Sequence, residues 1–212
     1  QRLYEKWQKK HQRLFYAVSP RFVLSCSEKL LQWCVEFARK NNLLLHTHAS
    51  ENPKECEAVK QKIGMSDIEY YHRLGFLSRR TIIAHGVWLN EIEQKYLADT
   101  QTSLIHCPST NLKLASGIAP IALYKDLQIN IGIGCDGAPC NNQLNIFNEM
   151  KLAGLLQKPR FGPNALPARE VVRMATLNGA KVLGFDNFLG SIEVGKSADL
   201  LIIDPYRSYS FP

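Results

Sequence analysis

Short apolar runs alternate along the chain with longer stretches in which apolar residues recur every three or four positions. The apolar runs are LFYAV, LLLHTH, TIIAH, SLIH and INIGIG, which begin at residues 14, 43, 81, 103 and 129. Their length and their content of aliphatic residues are typical of buried β-strands. The longer stretches have the spacing of amphipathic helices. Strands that alternate with helices in this way predict a parallel sheet built from βα units.

The predicted helices follow the strands in order. We expect them over residues 27–41, 52–64, 68–77, 90–100, 120–127 and 141–158, with two more over 167–185. Ser27 stands at a favoured N-cap position and Pro53 in a favoured first turn. Polar loops are predicted over 109–117 and 157–169, and a solvated basic helix over the N-terminal stretch 2–13.

A run of βα units leaves two architectures open. A doubly wound open sheet could be complete with five units, whereas a closed (β/α)8 barrel needs about three more strands and ~250 residues in all. The sequence contains neither GxGxxG nor GxxxxGK[ST], the phosphate-binding motifs that would favour the open sheet.

Composition is that of an ordinary globular domain. The chain has 212 residues, of which 45% are hydrophobic and 21% charged. The net charge of +7 comes largely from the N-terminal basic stretch and does not by itself indicate nucleic-acid binding. No run of 18 apolar residues and no signal peptide is present, so we expect no membrane association. Six scattered cysteines without a CxxC pair favour reduced thiols in a cytoplasmic protein.

Four consecutive strands end in an ionisable residue: His48, His85, His106 and Asp136. In a barrel, active sites lie at the C-terminal edge of the strands. Glu51 follows His48 with the spacing HxxE, and a carboxylate beside a metal-binding histidine can move a proton. His46 faces the same side of its strand, and we expect it to be a packed neighbour. The pattern indicates a catalytic metal site with too few ligands to be complete.

Several longer segments resemble a known family. The segments are HTHASEN, AHGVWL, HCPSTNLKLASGIAPI and CDGAPCNNQLNIFNEMKLAGLLQK. They resemble the amidohydrolase superfamily, in its branch of deaminases and chlorohydrolases that act on purines and s-triazines. The resemblance implies a partial (β/α)8 barrel of about five βα units over residues 1–185. It also implies that residues 186–212, which contain GSIEVGKSADLLIID, begin the return into a small β-sandwich domain.

The resemblance implies roles for the residues at the strand ends. His48 corresponds to the metal-ligand histidine of the fifth barrel strand. Glu51 corresponds to the carboxylate that carries a proton to a substrate ring nitrogen. His85 corresponds to a histidine that contacts the attacking water or the substrate. Asp136 corresponds to an aspartate that binds the metal and accepts the proton of water.

The implied activity is hydrolytic deamination. The substrate would be an adenine-type nucleoside such as 5′-deoxyadenosine, methylthioadenosine or S-adenosylhomocysteine, and a divalent metal, zinc or iron, would assist the release of ammonia. The residues implied to border the substrate are Arg21, Phe22, Ser109 and Asn111. Arg21 and Phe22 also favour a guanine deaminase, and s-triazine hydrolysis is a further alternative. A small-molecule purine nucleoside or base is therefore the expected partner, and a homo-oligomer is allowed.

One departure from the family pattern is informative. The family's first strand supplies an HxH pair to the metal, and nothing here corresponds to it, because the HTH at 46–48 already matches the fifth strand through Glu51. We therefore expect about half of a longer enzyme, which alone would hold a metal weakly. The competing hypothesis is an inactive module with a binding or scaffolding role. An HxH about 120–150 residues upstream, a distance loosely bounded by barrel size, would favour the enzyme.

Overall fold

The computed structural model describes residues 1–8, 10–204 and 206, and within them five parallel strands form a single sheet. The strands are β1 (Ala17–Val18), β2 (Leu44–Ala49), β3 (Thr81–His85), β4 (Ser103–His106) and β5 (Ile131–Ile133). They lie side by side in chain order. A doubly wound sheet reverses its strand order part-way, whereas the strands of a barrel follow one another in one direction. The order therefore confirms the predicted barrel-type α/β arrangement.

Ten α-helices connect and follow the strands in the part of the chain described. They are α1 (Arg2–Trp7), α2 (Glu28–Lys40), α3 (Pro53–Ile63), α4 (Asp67–Arg73), α5 (Glu91–Asp99), α6 (Pro108–Lys113), α7 (Ile121–Asp126), α8 (Ile146–Phe161), α9 (Ala168–Ala175) and α10 (Leu177–Leu183). A short 3₁₀ turn covers Val23–Ser25. None of these helices combines the length and apolar character that crossing a bilayer requires.

Side-chain caps set where several helices begin. The Ser27 side chain accepts a hydrogen bond from the first turn of α2, so the predicted N-cap is confirmed. Reciprocal capping boxes join Ser66 with Glu69 at α4, and Asn90 with Glu93 at α5. Each box satisfies backbone N–H groups that a helix start would otherwise leave unpaired.

The sheet has one covered and one open face, as the burial along β2 shows. Leu45, Thr47 and Ala49 are buried, and the Thr47 hydroxyl lies 3.0 Å from the hydroxyl of Tyr71 in α4. His46 and His48 point to the opposite face and are only partly buried. The apolar core therefore lies between the sheet and its helices, and the open face is the one that a closed barrel would enclose.

The first strand and first helix are shorter than predicted. Of the run LFYAV, β1 keeps Ala17–Val18, which pair with Leu44 and Leu45 of β2. Leu14 and Phe15 are exposed. The strand starts late because Ala17 pairs with Leu44, which is the first residue of β2. Helix α1 covers residues 2–7 of the predicted 2–13, and Lys9 lies outside the described residues.

Two loop predictions are wrong. The polar segment 109–117 begins inside α6, where Pro108 stands in the first turn, a position at which proline favours a helix. Helix α8 begins at Ile146, later than predicted, because Asn145 caps it. It continues through Pro159 to Phe161, into the second predicted loop.

The C-terminal segment has no regular structure where it is described. Residues 186–204 contain neither helix nor strand, and the apolar side chains of Ile192, Val194 and 200–203 are exposed. No neighbouring strand is described that could give the run ADLLIID a ladder of hydrogen bonds. The predicted start of a second domain at residue 186 stays a prediction, and residues 205 and 207–212 lie outside the described residues.

Candidate active site

The C-terminal edge of the sheet brings several of the predicted site residues together. His48 lies next to the end of β2, and His85 is the last residue of β3. Their ring centroids are 5.4 Å apart. Asp136 follows the end of β5 in the next loop.

The backbone turns sharply at two of these residues. His85 has φ 76° and Asp136 has φ 57°, in the left-handed region that residues other than glycine rarely adopt. In register, His85 pairs with Ala49, which is buried beneath the helices, yet its ring lies against His48 on the open face. The turn at His85 therefore redirects its side chain. Backbone strain of this kind is concentrated at functional sites.

The backbone carbonyl of Arg21 orients His48. This oxygen lies 2.9 Å from Nδ1 of His48 and also accepts the His48 backbone N–H at 3.0 Å. Because a carbonyl can only accept, Nδ1 of the ring donates a proton, and in the neutral ring Nε2 keeps its lone pair. Metal-binding histidines are commonly fixed in this way. His48 is therefore suited to bind a metal through Nε2.

His85 lies between an amide and a carboxylate. It is 1% exposed, and its Nδ1 lies 2.9 Å from Oδ1 of Asn111. Its Nε2 lies 3.6 Å from Oε2 of Glu51. Burial lowers the pKa of His85, and the charge of Glu51 opposes this in part. The neutral ring then donates Nδ1–H to Asn111 and turns the Nε2 lone pair toward Glu51, which lies just beyond hydrogen-bond distance.

Glu51 is held at one carboxylate oxygen and faces His85 with the other. The Ser116 hydroxyl donates to Oε1 at 3.3 Å, and Oε2 faces His85. The side chain keeps 20% of its surface exposed. A carboxylate that is fixed by neighbours and still open to a substrate is placed to carry protons.

Asp136 lies within electrostatic reach of the same cluster. Its charge acts to raise the pKa of His85, against the larger effect of burial. Its Oδ1 accepts the N–H of Gly137 at 2.7 Å, and the residue is exposed. The second carboxylate oxygen of Asp136 is thus the one available for a ligand.

These donors suit part of a metal site. His48 offers an imidazole Nε2 and Asp136 a carboxylate oxygen, both usual ligands of divalent metals. Within residues 1–8, 10–204 and 206, no group of three or more His, Cys, Asp or Glu side chains could hold a metal ion. A structural or catalytic zinc site uses three or four protein ligands. The described residues therefore contain no complete zinc ligand set.

The family model for the amidohydrolase family matches residues 1–211. The chain belongs to the amidohydrolase family. A 5′-deoxyadenosine deaminase of Methanothermobacter thermautotrophicus is 43% identical over 201 residues, which cover 94% of this chain and 47% of that protein. A 5-methylthioadenosine/S-adenosylhomocysteine deaminase of Pyrococcus furiosus is 37% identical, with 93% of this chain and 47% of that protein covered. The chain spans about half the length of these curated relatives.

Solved structures show the same fold. An adenosine deaminase from Xanthomonas campestris with bound zinc has a TM-score of 0.89 and 34% identity, and the match covers 93% of this chain and 45% of that one. Guanine deaminase of E. coli has a TM-score of 0.85 and 30% identity, with the same shares covered. This amidohydrolase chain therefore folds as the corresponding half of those proteins does.

The other predicted site residues have different surroundings. The Arg21 guanidinium lies over the Phe22 ring, 5.4 Å from its centroid. The backbone N–H of Ser109 donates to the buried Glu149 at 2.9 Å, and the Ser109 hydroxyl donates to it as well. Asn111 contacts His85. A substrate-bordering role for these residues stays a prediction.

The two other histidines of the strands, His46 of β2 and His106 of β4, differ in their polar contacts. His46 Nδ1 lies 3.3 Å from the Ser19 hydroxyl, and burial lowers its pKa. His106 is 1% exposed, and neither ring nitrogen has a hydrogen-bond partner among the described residues. Burial lowers the pKa of His106 to about 3. His106 therefore stays neutral in the folded protein at neutral pH.

The sequence did not identify several residues that form hydrogen bonds with the site residues or with their neighbours. Ser116 contacts Glu51, Asp67 contacts Ser50, and Glu149 contacts Ser109. Asp67 follows the capping serine of an S-x-x-E motif, so the sequence indicates a helix start and no further partner. Nothing in the sequence pattern shows which loop each of these side chains reaches.

Proposed function

We propose that this chain forms part of a metal-dependent deaminase that hydrolyses the amino group of an adenine-type nucleoside. The cluster of His48, Glu51 and His85 at the sheet edge is the observation that carries the proposal. His48 presents a lone pair for a metal, and Nε2 of His85 lies 3.6 Å from the carboxylate of Glu51. The names of the 5′-deoxyadenosine and 5-methylthioadenosine/S-adenosylhomocysteine deaminases support the substrate class.

His48 and Asp136 would hold the metal, together with ligands from outside this chain. Zinc is the metal we propose, with iron as the alternative, and the zinc in the Xanthomonas campestris adenosine deaminase supports that choice. A bound divalent metal acts as a Lewis acid that turns water into a nucleophile near neutral pH.

The two carboxylates would move the protons of water. Asp136 accepts one proton of water, and Glu51 delivers one to the ring nitrogen beside the amino-bearing carbon. The water oxygen bonds to that carbon, the carbon–nitrogen bond breaks, and ammonia leaves. The two protons of water end on the ring nitrogen and on ammonia. Neutral His85 lies beside Glu51 and accepts hydrogen bonds at Nε2.

Arg21, Phe22, Ser109 and Asn111 are the residues we propose to border the substrate. The guanidinium stacked on Phe22 forms a flat surface of the kind that suits a purine. This pair favours guanine as a second candidate substrate, in keeping with the likeness to guanine deaminase. An s-triazine is a third, since triazine hydrolases share the fold.

Two further proposals concern the domain organisation of the enzyme and its location in the cell. We propose that residues 186–212 lead into a second domain, which the exposed apolar side chains at 192–203 support. We also propose a reducing, cytoplasmic location, because all six cysteines are free. Cys34 and Cys107 are buried, and the other four are partly exposed.

The test uses the intact protein that contains this chain. Metal content is measured by mass spectrometry, and ammonia release is measured with 5′-deoxyadenosine, methylthioadenosine, S-adenosylhomocysteine, guanine and an s-triazine. We expect ammonia from at least one adenine-type nucleoside and its loss after chelation. Release from guanine alone would favour the second candidate. Binding of a purine without any release would favour an inactive module.

A further inference from the structure

A buried carboxylate outside the catalytic cluster lies behind Glu51. Asp67 is the first residue of α4 and is 3% exposed. It accepts the backbone N–H of Ser50 at 2.6 Å and the Ser50 hydroxyl at 2.8 Å. It also accepts the N–H of Ile68 at 2.8 Å. Two of its three donors therefore belong to the residue immediately before Glu51.

Ser50 has a backbone conformation that needs such support. Its φ of 52° lies in the left-handed region, which persists for a residue other than glycine when its surroundings hold it. Asp67 fixes the backbone N–H of Ser50 by accepting its hydrogen bond. On the other side, the Ser50 carbonyl accepts the N–H groups of Val87 and Trp88 at 2.8 and 3.0 Å. Both ends of the residue are thus tied by hydrogen bonds, one to the buried Asp67 and the other to the backbone after β3.

A second series of hydrogen bonds, through Trp88 and Ser116, also reaches Glu51. The indole Nε1 of Trp88 donates to the Ser116 carbonyl at 2.6 Å. The Ser116 hydroxyl in turn donates to Glu51 at 3.3 Å. Asp67, Ser50, Trp88 and Ser116 therefore form a support network that reaches Glu51 through its backbone and through its side chain.

We propose that Asp67 is a positioning residue that sets the orientation of the Glu51 carboxylate by holding Ser50 in its left-handed conformation. The inference rests on the proposed deaminase function, in which Glu51 carries the proton. A proton carrier must lie within hydrogen-bond distance of the atom it protonates. Asp67 should therefore affect kcat, while KM and the metal content stay close to those of the wild type.

Asp67→Asn is the first test. The variant keeps the size of the side chain, but an amide accepts with its oxygen alone, so one of the two Ser50 donors faces an NH₂ group. Small misplacements of catalytic groups are costly, and we expect kcat to fall roughly 10-fold to 100-fold with the nucleoside that the wild type deaminates.

A double-mutant cycle with Glu51→Gln separates positioning from general loosening of the fold. When Glu51 can no longer carry a proton, Asp67→Asn should lower kcat little further, because the two residues act as one unit. An equal fold-loss with and without Glu51→Gln would mean that Asp67 acts independently of Glu51, and the inference would be overturned.

Glu93 offers a matched control. It is 2% exposed, accepts the backbone N–H of Asn90 at 2.6 Å, and is near enough for the charge of Asp67 to act on its pKa. Its described hydrogen bonds do not reach Ser50. Glu93→Gln should lower stability in urea and leave kcat close to that of the wild type. A kcat loss as large as that of Asp67→Asn would count against positioning.

Amide hydrogen exchange at Val87 and Trp88 gives a readout that does not depend on turnover. Asp67→Asn should speed exchange at both amides, because they donate to the carbonyl of Ser50. Glu93→Gln should not. If the intact wild type releases no ammonia from any nucleoside, the proposed function fails, and the exchange rates still decide whether Asp67 holds Ser50. Unchanged rates would overturn the inference.

Discussion

Two carboxylates of the cluster have different surroundings, and the difference predicts different roles. Glu51 lies between Ser116 and His85, whereas Asp136 is exposed and keeps one oxygen open for a ligand. In the intact enzyme, Glu51→Gln keeps the size of the side chain but cannot pass a proton. We expect metal content near that of the wild type and a turnover lower by roughly 10²–10⁴-fold, the usual contribution of general acid–base catalysis.

Asp136→Asn should behave differently, because it replaces a charged ligand. We expect both metal occupancy and turnover to fall. Mass spectrometry for the metal and ammonia-release assays test both variants on the same preparations. The assignment of roles fails if Glu51→Gln strips the metal, or if Asp136→Asn keeps full metal and near-normal turnover.

His106 predicts a dependence of stability on pH. Burial lowers its pKa from 6.5 to about 3. Between these two pH values His106 binds a proton in the unfolded chain but not in the folded chain. The free energy of unfolding should therefore fall as pH drops through this window, by at most about 1.4 kcal/mol per pH unit from this group.

His106→Leu tests this dependence, because leucine is apolar and His106 has no described polar partner to lose. Urea unfolding between about pH 7 and about pH 4 should give a shallower loss of stability for the variant than for the wild type. If the free energy of unfolding depends on pH equally in both proteins, His106 can be protonated in the folded state.

The positions of single residues were predictable from the sequence where an apolar run ends. His48, His85 and Asp136 could be selected because each follows such a run. Their orientations could not, because these depend on contacts distant in sequence, such as the Arg21 carbonyl with His48 and Asn111 with His85.

At the scale of elements, Glu149 of α8 connects α6, which follows β4, with the loop after β5. It is fully buried, and it accepts hydrogen bonds from Ser109 and, at 2.7 Å, from Asn141. Glu149→Ala would leave these buried donors unpaired, at about 1–3 kcal/mol each, so we expect a loss of roughly 2–5 kcal/mol in the free energy of unfolding. Urea unfolding measures it.

An exposed carboxylate provides the comparison. Glu57 of α3 is exposed and accepts one hydrogen bond from Gln61, one helical turn away. Glu57→Ala should change stability by less than about 0.5 kcal/mol, as surface substitutions usually do. Equal losses for the two variants would show that the buried contacts of Glu149 contribute nothing specific.

Element boundaries were predictable where a side-chain cap determines them locally. The starts of α2 and α5 follow from Ser27 and Asn90. The late start of β1 did not follow from LFYAV, because it depends on where β2 begins to offer hydrogen-bond partners. Helix α6 was missed because its polar residues suggested a loop, although Asn111 and Thr110 are buried in the fold.

At the scale of the whole molecule, the order of the strands determines how the site is assembled. Since β2, β3, β4 and β5 lie side by side, loops far apart in sequence meet at one edge. Ser116 thus reaches Glu51 across 65 positions. The alternation of strands and helices predicts this edge, but it cannot predict which side chains touch there.

The open sheet predicts self-association of the chain when it is produced alone. The outer side of β1 has no strand partner among the described residues, and Leu14 is 45% exposed just before it. An exposed strand edge with apolar neighbours promotes pairing between copies. Sedimentation velocity should therefore detect oligomers, and Leu14→Lys should reduce them, because a charge at the edge opposes pairing.

Leu30→Lys is the matched control, since Leu30 is 43% exposed on α2 and does not belong to the strand edge. It should leave the distribution of oligomers unchanged. If Leu30→Lys reduces association as much as Leu14→Lys does, general surface hydrophobicity is the cause. A monodisperse monomer of the unmodified chain would contradict the prediction, because the unpaired edge of β1 would then be tolerated in water without a partner.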